Sequence, residues 1–194
     1  MAGLKVDLEA QRPAMAKLAF LIGKWEGEAR IYRGGGGPGI QKRENRNSKN
    51  ETREKLEVFH MTEEASWRLD GLILLIEGTG RNMAERIRAT REGGASTAPT
   101  GGQRPPIQAL GFLCYDDAEQ TYRFRAFNDG RFLESEAKLA HDGKGLEWGF
   151  AVEHVRTRAV LRINERGEWT EEHQITIGEQ PARRFMEVVV RKKG

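Results

Sequence analysis

From Lys24 onward, apolar and polar residues alternate. Trp25, Gly27, Ala29 and Ile31 fall on one side of the pattern, and Glu26, Glu28, Arg30 and Tyr32 on the other. This period of two is the signature of a strand with one wet face. The same alternation predicts strands over 52–61, 65–69, 72–80, 108–115, 121–128, 131–139, 146–154, 155–164, 168–177 and 182–191. The segment 10–22 reads differently: Met15, Leu18, Ala19 and Ile22 recur at helical spacing, with Pro13 in the first turn and Gly23 just past the end. That predicts one short amphipathic helix before an almost unbroken run of strands.

Short turns separate the strands. Asp116-Asp117, Asn128-Asp129-Gly130, His141-Asp142-Gly143 and Asn164-Glu165-Arg166-Gly167 supply the residues that hairpins need at positive φ. Asp70-Gly71 marks either a tight hairpin or a bend within one strand. Consecutive hairpins make an antiparallel meander, and closing the meander removes its two unpaired edges. The expected fold is therefore all-β, an up-and-down antiparallel barrel of about ten strands preceded by one helix, with a two-sheet sandwich as the alternative. Eight strands leave an interior that side chains nearly fill, whereas about ten leave room for a small ligand. The Gly-rich run 34–39 opens a polar loop to about residue 50, and 91–106 is Gly, Ser, Thr and Pro without period. Both are expected to be mobile loops in a single domain.

Composition narrows the function classes. The 194 residues carry 32 Lys and Arg against 29 Asp and Glu, a net charge of +3, too slight an excess for dedicated nucleic-acid binding. The basic stretch from Lys42 to Lys55 is interleaved with Asn and Glu and reads as solvated loop. A mean hydropathy of −0.67 and the lack of a long apolar run argue against a transmembrane helix. The acidic start, Asp7 and Glu9, does not resemble a secretory signal, so a cytoplasmic protein without a membrane partner is expected. One cysteine, Cys114, excludes an internal disulfide and a Cys-rich zinc site, and its apolar strand predicts an inert thiol. Phosphate-loop, dinucleotide-loop, nucleophile-elbow and His-Glu-x-x-His motifs are all absent.

The phrase Phe20-Leu21-Ile22-Gly23-Lys24-Trp25-Glu26-Gly27-Glu28 sets Gly-x-Trp between the helix and the first strand. It resembles the calycin signature: lipocalins, fatty-acid-binding proteins and, above all, bacterial lipocalin-like and nitrobindin-like barrels. Tyr115-Asp116-Asp117, Gly167-Glu168-Trp169 and Arg183 to Val188 resemble the later strands of an uncharacterised bacterial family of that kind. The resemblance implies that the helix closes one barrel end with Trp25 packed beneath it. It also implies a last-strand Arg or Lys lying across the indole, with Arg183, Arg184 and Arg191 as candidates.

Polar residues on apolar strand faces are the candidate chemistry, since they must be paired inside or serve a ligand. Leu146, Trp148, Phe150 and Val152 share a face with His154, while Trp169, Ile175 and Ile177 share one with Glu171 and His173. The candidate ligand-binding residues are therefore Trp148, Phe150, Trp169, Glu171 and His173. His154, beside a turn, is expected outside. Arg123, Arg125, Arg156, Arg158 and Arg162 occupy the less apolar faces and are expected to meet exterior glutamates. In an inverted register they would line a carboxylate site.

The expected function is non-enzymatic binding of a small apolar or amphipathic molecule, with no cofactor and no metal. The alternative is a haem-binding protein or an acid/base enzyme centred on His173, which matches by position the haem-ligating histidine of nitrobindin-like proteins. Assembly into a homo-oligomer stays open.

Overall fold

Asp7 caps the helix, which starts two residues earlier than the apolar spacing indicates. Its carboxylate accepts hydrogen bonds from the backbone N–H groups of Glu9 and Ala10 at 3.0 and 3.1 Å, an N-cap that satisfies otherwise unpaired donors. In the computed structural model, which describes residues 7–33, 55–84, 107–128 and 131–194, helix α1 (Leu8–Ala16) therefore contains Pro13 in its interior, and a 3₁₀ turn, Ala19–Leu21, follows. The expected loops at 34–50 and 91–106 lie outside the described residues.

The strands are β1 (Gly23–Arg33), β2 (Lys55–Arg68), β3 (Ile73–Asn82), β4 (Ile107–Asp116), β5 (Thr121–Asn128), β6 (Arg131–Leu139), β7 (Gly145–Trp148), β8 (Ala151–Val152), β9 (Val155–Ile163), β10 (Trp169–Ile177) and β11 (Arg183–Lys192). Neighbours pair antiparallel in chain order from β1 to β7. The pairings then run β7 to β9 to β10 to β11, and β11 pairs with β1, so the ring closes with ten strands. The two-residue β8 pairs only with the start of β9. The meander is thus a barrel and not a sandwich. Among the described residues no helix is long and apolar enough to cross a membrane.

Two strand assignments differ from the sequence pattern. β2 is one strand where two were expected, and the Asp70-Gly71 signal is a tight hairpin with positive φ at Leu69, Asp70 and Gly71. The expected strand 146–154 is interrupted after Trp148. A Cβ on Gly149 would sit 2.3 Å from the Thr157 carbonyl oxygen, so only glycine lets the two backbones approach this closely. Phe150 then donates its N–H to Thr157 Oγ1 at 3.1 Å, and Glu153 turns the chain at φ +53°. Val152 and His154 consequently lie exposed and do not share the face of Trp148.

The helix plugs one end of the barrel. Gln11 Nε2 and the Asp7 N–H both donate to the Asp117 carboxylate, Arg12 donates to the Asp70 carbonyl, and the Tyr122 hydroxyl donates to the Ala14 carbonyl at 2.6 Å. Met15, Leu18 and Leu21 are buried against Trp25, Leu74, Leu113 and Trp169. Trp25 is 3 % exposed, and its indole N–H donates to the Leu21 carbonyl at 2.8 Å, fixing the end of the 3₁₀ turn to the first strand. The cation over this indole is Lys192, its register partner, with Nζ 5.4 Å from the ring centroid. The three arginines proposed from the resemblance do not take that place. Arg191 bonds Glu168 at 2.7 Å and Arg184 bonds Glu187 at 2.6 Å, while Arg183 heads β11 at the far end.

Candidate functional site in the barrel interior

Register decides which residues face inward. Trp25 pairs with Glu63, Glu63 with Gly78, and Gly78 with Ala109, all on the inner face. On the opposite wall Trp169, Glu171 and His173 pair with Leu161, Ala159 and their neighbours, and Trp148 lies beside Ala159. The half of the interior under the helix is filled by wholly buried side chains. Toward the other end the inward-facing Phe124, Trp148, Phe150, Glu171, His173 and Phe185 are only half-buried. These inner-face residues thus keep some accessible surface.

A short polar relay crosses this region. Trp169 is 1 % exposed, stacks edge-to-face on Trp25 with centroids 5.5 Å apart, and donates its indole N–H to Glu171 Oε1 at 2.8 Å. Glu171 Oε2 lies 2.6 Å from His173 Nε2. One strand therefore presents three side chains at successive inward positions, and both carboxylate oxygens are engaged. With Nε2 engaged by Glu171, Nδ1 is the ring nitrogen left for another partner. Trp148 and Phe185 flank His173 edge-to-face at 6.1 and 5.7 Å. Phe185 reaches this position because the β10–β11 register shifts between His173 and Gln174, a bulge that re-aims one extra residue. Phe124 joins Trp148 and Phe150 to the same wall, at 5.2 and 5.9 Å.

All five candidates from the sequence pattern thus lie on the inner wall, with Trp169 deepest. His154 is elsewhere, exposed at the β8–β9 turn. The arginines face outward: Arg158 makes two bonds to Glu147 at 2.8 and 2.7 Å, Arg125 bonds Glu134 at 2.8 Å, and Arg123 contacts Asp116 and Glu136. Burial pushes the Cys114 thiol up, which suits an unreactive side chain. Among the described residues no three His, Cys, Asp or Glu side chains gather as a metal-binding group.

Glu63 is the inner-face residue that the sequence pattern missed, because it falls in the gap between the two strands expected where β2 is continuous. Once β2 is one strand, Phe59, Met61, Glu63, Ala65 and Trp67 form a single inward row in which Glu63 is the polar exception. Its carboxyl lies over Gly78, where an added Cβ would come within 2.6 Å of Oε2, so glycine leaves the space the carboxyl occupies. Protein surrounds Glu63 on nearly every side, yet it keeps some accessible surface. Desolvation by burial, and then the charge of Glu171, push its carboxyl well above the usual value of 4.5.

This has a consequence for stability. A carboxyl whose folded pKa is raised contributes most below its unfolded pKa, and that contribution is lost as pH rises toward the folded value. Glu63→Gln is therefore expected to be more stable than wild type by on the order of 1 to 3 kcal/mol at neutral pH. The gap should shrink as pH falls to 4.5. Denaturant midpoints across that range check it, and a gap that grows in acid would refute the assignment.

A second concavity lies outside the barrel, a groove of about 940 Å³ across the outer faces of β9, β10, β11 and β1. Its floor includes Val160 and Val189, and several of its charged residues are already engaged, Arg158 with Glu147 and Arg191 with Glu168.

No protein-family model matches the sequence, and no curated protein matches it at a significant level. Among solved structures, the fold is similar to the crystal structure of Rv2717c from M. tuberculosis, with a TM-score of 0.55 and 13% sequence identity, over 94% of this chain and 98% of that one. A likeness at that identity concerns the barrel fold.

Proposed function

We propose that the chain is a non-enzymatic, lipocalin-like binding protein of the calycin type that holds a small apolar or amphipathic molecule inside its barrel. The observation that carries the reading is the half-buried inner wall, where Phe124, Trp148, Phe150 and Phe185 surround the Glu171–His173 pair. Ligand sites are mostly apolar concavities with a few placed polar groups. His173 offers Nδ1 to a ligand, Glu171 fixes the ring, and Trp169 acts on the ligand through Glu171.

Native mass spectrometry of gently purified protein, followed by organic extraction, is the test. A bound small molecule is expected, with occupancy falling about tenfold in Trp148→Ala and His173→Ala. An interior that carries nothing and admits no apolar probe would overturn the reading.

The Glu171–His173 contact also supports a second reading, in which His173 binds haem or serves as an acid/base group, since a carboxylate commonly holds a ligating or catalytic histidine in one tautomer. Haem would have to use Nδ1 or displace Glu171 from Nε2. A Soret band on haemin titration that vanishes in His173→Ala would replace the first reading with this one, and a flat titration removes it.

A further inference from the structure

The proposed interior site contains one group that none of its neighbours satisfies. Among the described residues Glu63 makes no hydrogen bond and no ion pair, and since no fully enclosed side-chain nitrogen or oxygen is left unbonded, its carboxyl keeps some accessible surface. A carboxyl largely withdrawn from water without a partner is costly, and Gly78 leaves the space it occupies. Glu171 acts on it from β10, and the two carboxyls with His173 make the polar end of the interior acidic.

Among the described residues, positive charge lies elsewhere. Arg123, Arg125, Arg158 and Arg162 point outward and are bonded to exterior carboxylates. Arg33 and Arg183 stand at the end of the barrel away from the helix, Arg33 paired with Glu57 at 3.0 Å. A carboxylate ligand seated at the polar end would meet like charge with no guanidinium of the described residues to answer it. A protonated amine would meet a hydrogen-bond acceptor on each side and aromatic faces around it.

We infer that the interior site takes an amphipathic amine, its ammonium group held by Glu63 with support from the Glu171–His173 pair and its apolar part against Trp148, Phe124 and Phe150. This rests on the binding reading above and narrows it to a ligand class. The raised protonation of Glu63 fits the inference, because desolvation holds the carboxyl neutral without a cation and an ammonium beside it restores the charged form.

Protein stripped by organic extraction is titrated with octylamine, octanol and octanoate, which share one apolar tail and differ in the head, with binding read from tryptophan fluorescence and calorimetry. Octylamine is expected to bind about tenfold or more tightly than octanol, and octanoate more weakly than both. Glu63→Gln should bring octylamine affinity down toward that of octanol, and a cooperative urea transition by circular dichroism shows that the variant is folded. Octanoate binding more tightly than octylamine, or an octylamine affinity untouched by Glu63→Gln, overturns the amine inference and leaves the barrel as a binding protein of another selectivity. Failure of all three probes, with nothing released on extraction, overturns both readings.

Discussion

Replacing Trp25 with Ala is expected to cost about 3 to 5 kcal/mol of folding free energy, a large share of the roughly 5 to 15 kcal/mol that holds a domain together. The indole is 3 % exposed, plugs the barrel end beneath the helix, donates to the Leu21 carbonyl and lies under Lys192. Ala would leave a void that the strand ends cannot close, and would strand that carbonyl. Trp25→Phe keeps most of the volume and should cost distinctly less. Urea midpoints by circular dichroism distinguish the two, and a Trp25→Ala midpoint within about 0.5 kcal/mol of wild type would mean that the helix does not close the barrel through this residue.

A comparable loss, about 3 to 5 kcal/mol, is expected for Trp169→Ala. Among the described residues Trp169 is the largest wholly buried side chain, stacked on Trp25 and bonded to Glu171. Because the two indoles share one contact, the double variant should cost less than the sum of the singles by about 0.5 to 3 kcal/mol. Strict additivity would contradict the stacked geometry. Trp169→Phe separates the functions of this side chain. It keeps the packing but removes the N–H, so Glu171 loses its lower anchor and the His173 ring its fixed orientation. Ligand occupancy should then fall while the midpoint drops by only about 1 to 3 kcal/mol.

The alternation of apolar and polar residues made the barrel legible because a period of two survives in nearly every strand, and Gly-x-Trp located the plugged end. What it could not show was continuity. Glu63 interrupts the apolar row of β2, so the pattern divides one strand into two and hides the enclosed carboxyl in the gap. Gly149 acts in the opposite sense: it breaks a strand that the pattern continues, so Val152 and His154 keep the right parity and still end outside. Phe150 lies beyond the break at Gly149, whereas Trp169, Glu171 and His173 were legible together because β10 alternates without interruption as far as His173. The bulge that brings in Phe185 comes only after it, and a bulge leaves no trace in a two-state pattern. Lys192 was missed for a simpler reason: the pairing of Trp25 with a particular last-strand residue is set by register, which neither residue declares.

The seam between β1 and β11 joins segments that nearly the whole described sequence separates. During synthesis β1 can zip to β2 early, whereas its other flank waits until β11 has left the ribosome. Pairings of such long sequence separation pay their loop-closure entropy before they are rewarded, which places this barrel among slow-folding topologies. Until closure, β1 and β10 each present an unpaired edge, the template on which nascent chains join one another. The strand that carries the cation over Trp25 is thus also the one whose late arrival ends the period of aggregation risk, so a chain halted before β11 is the species a chaperone would have to hold.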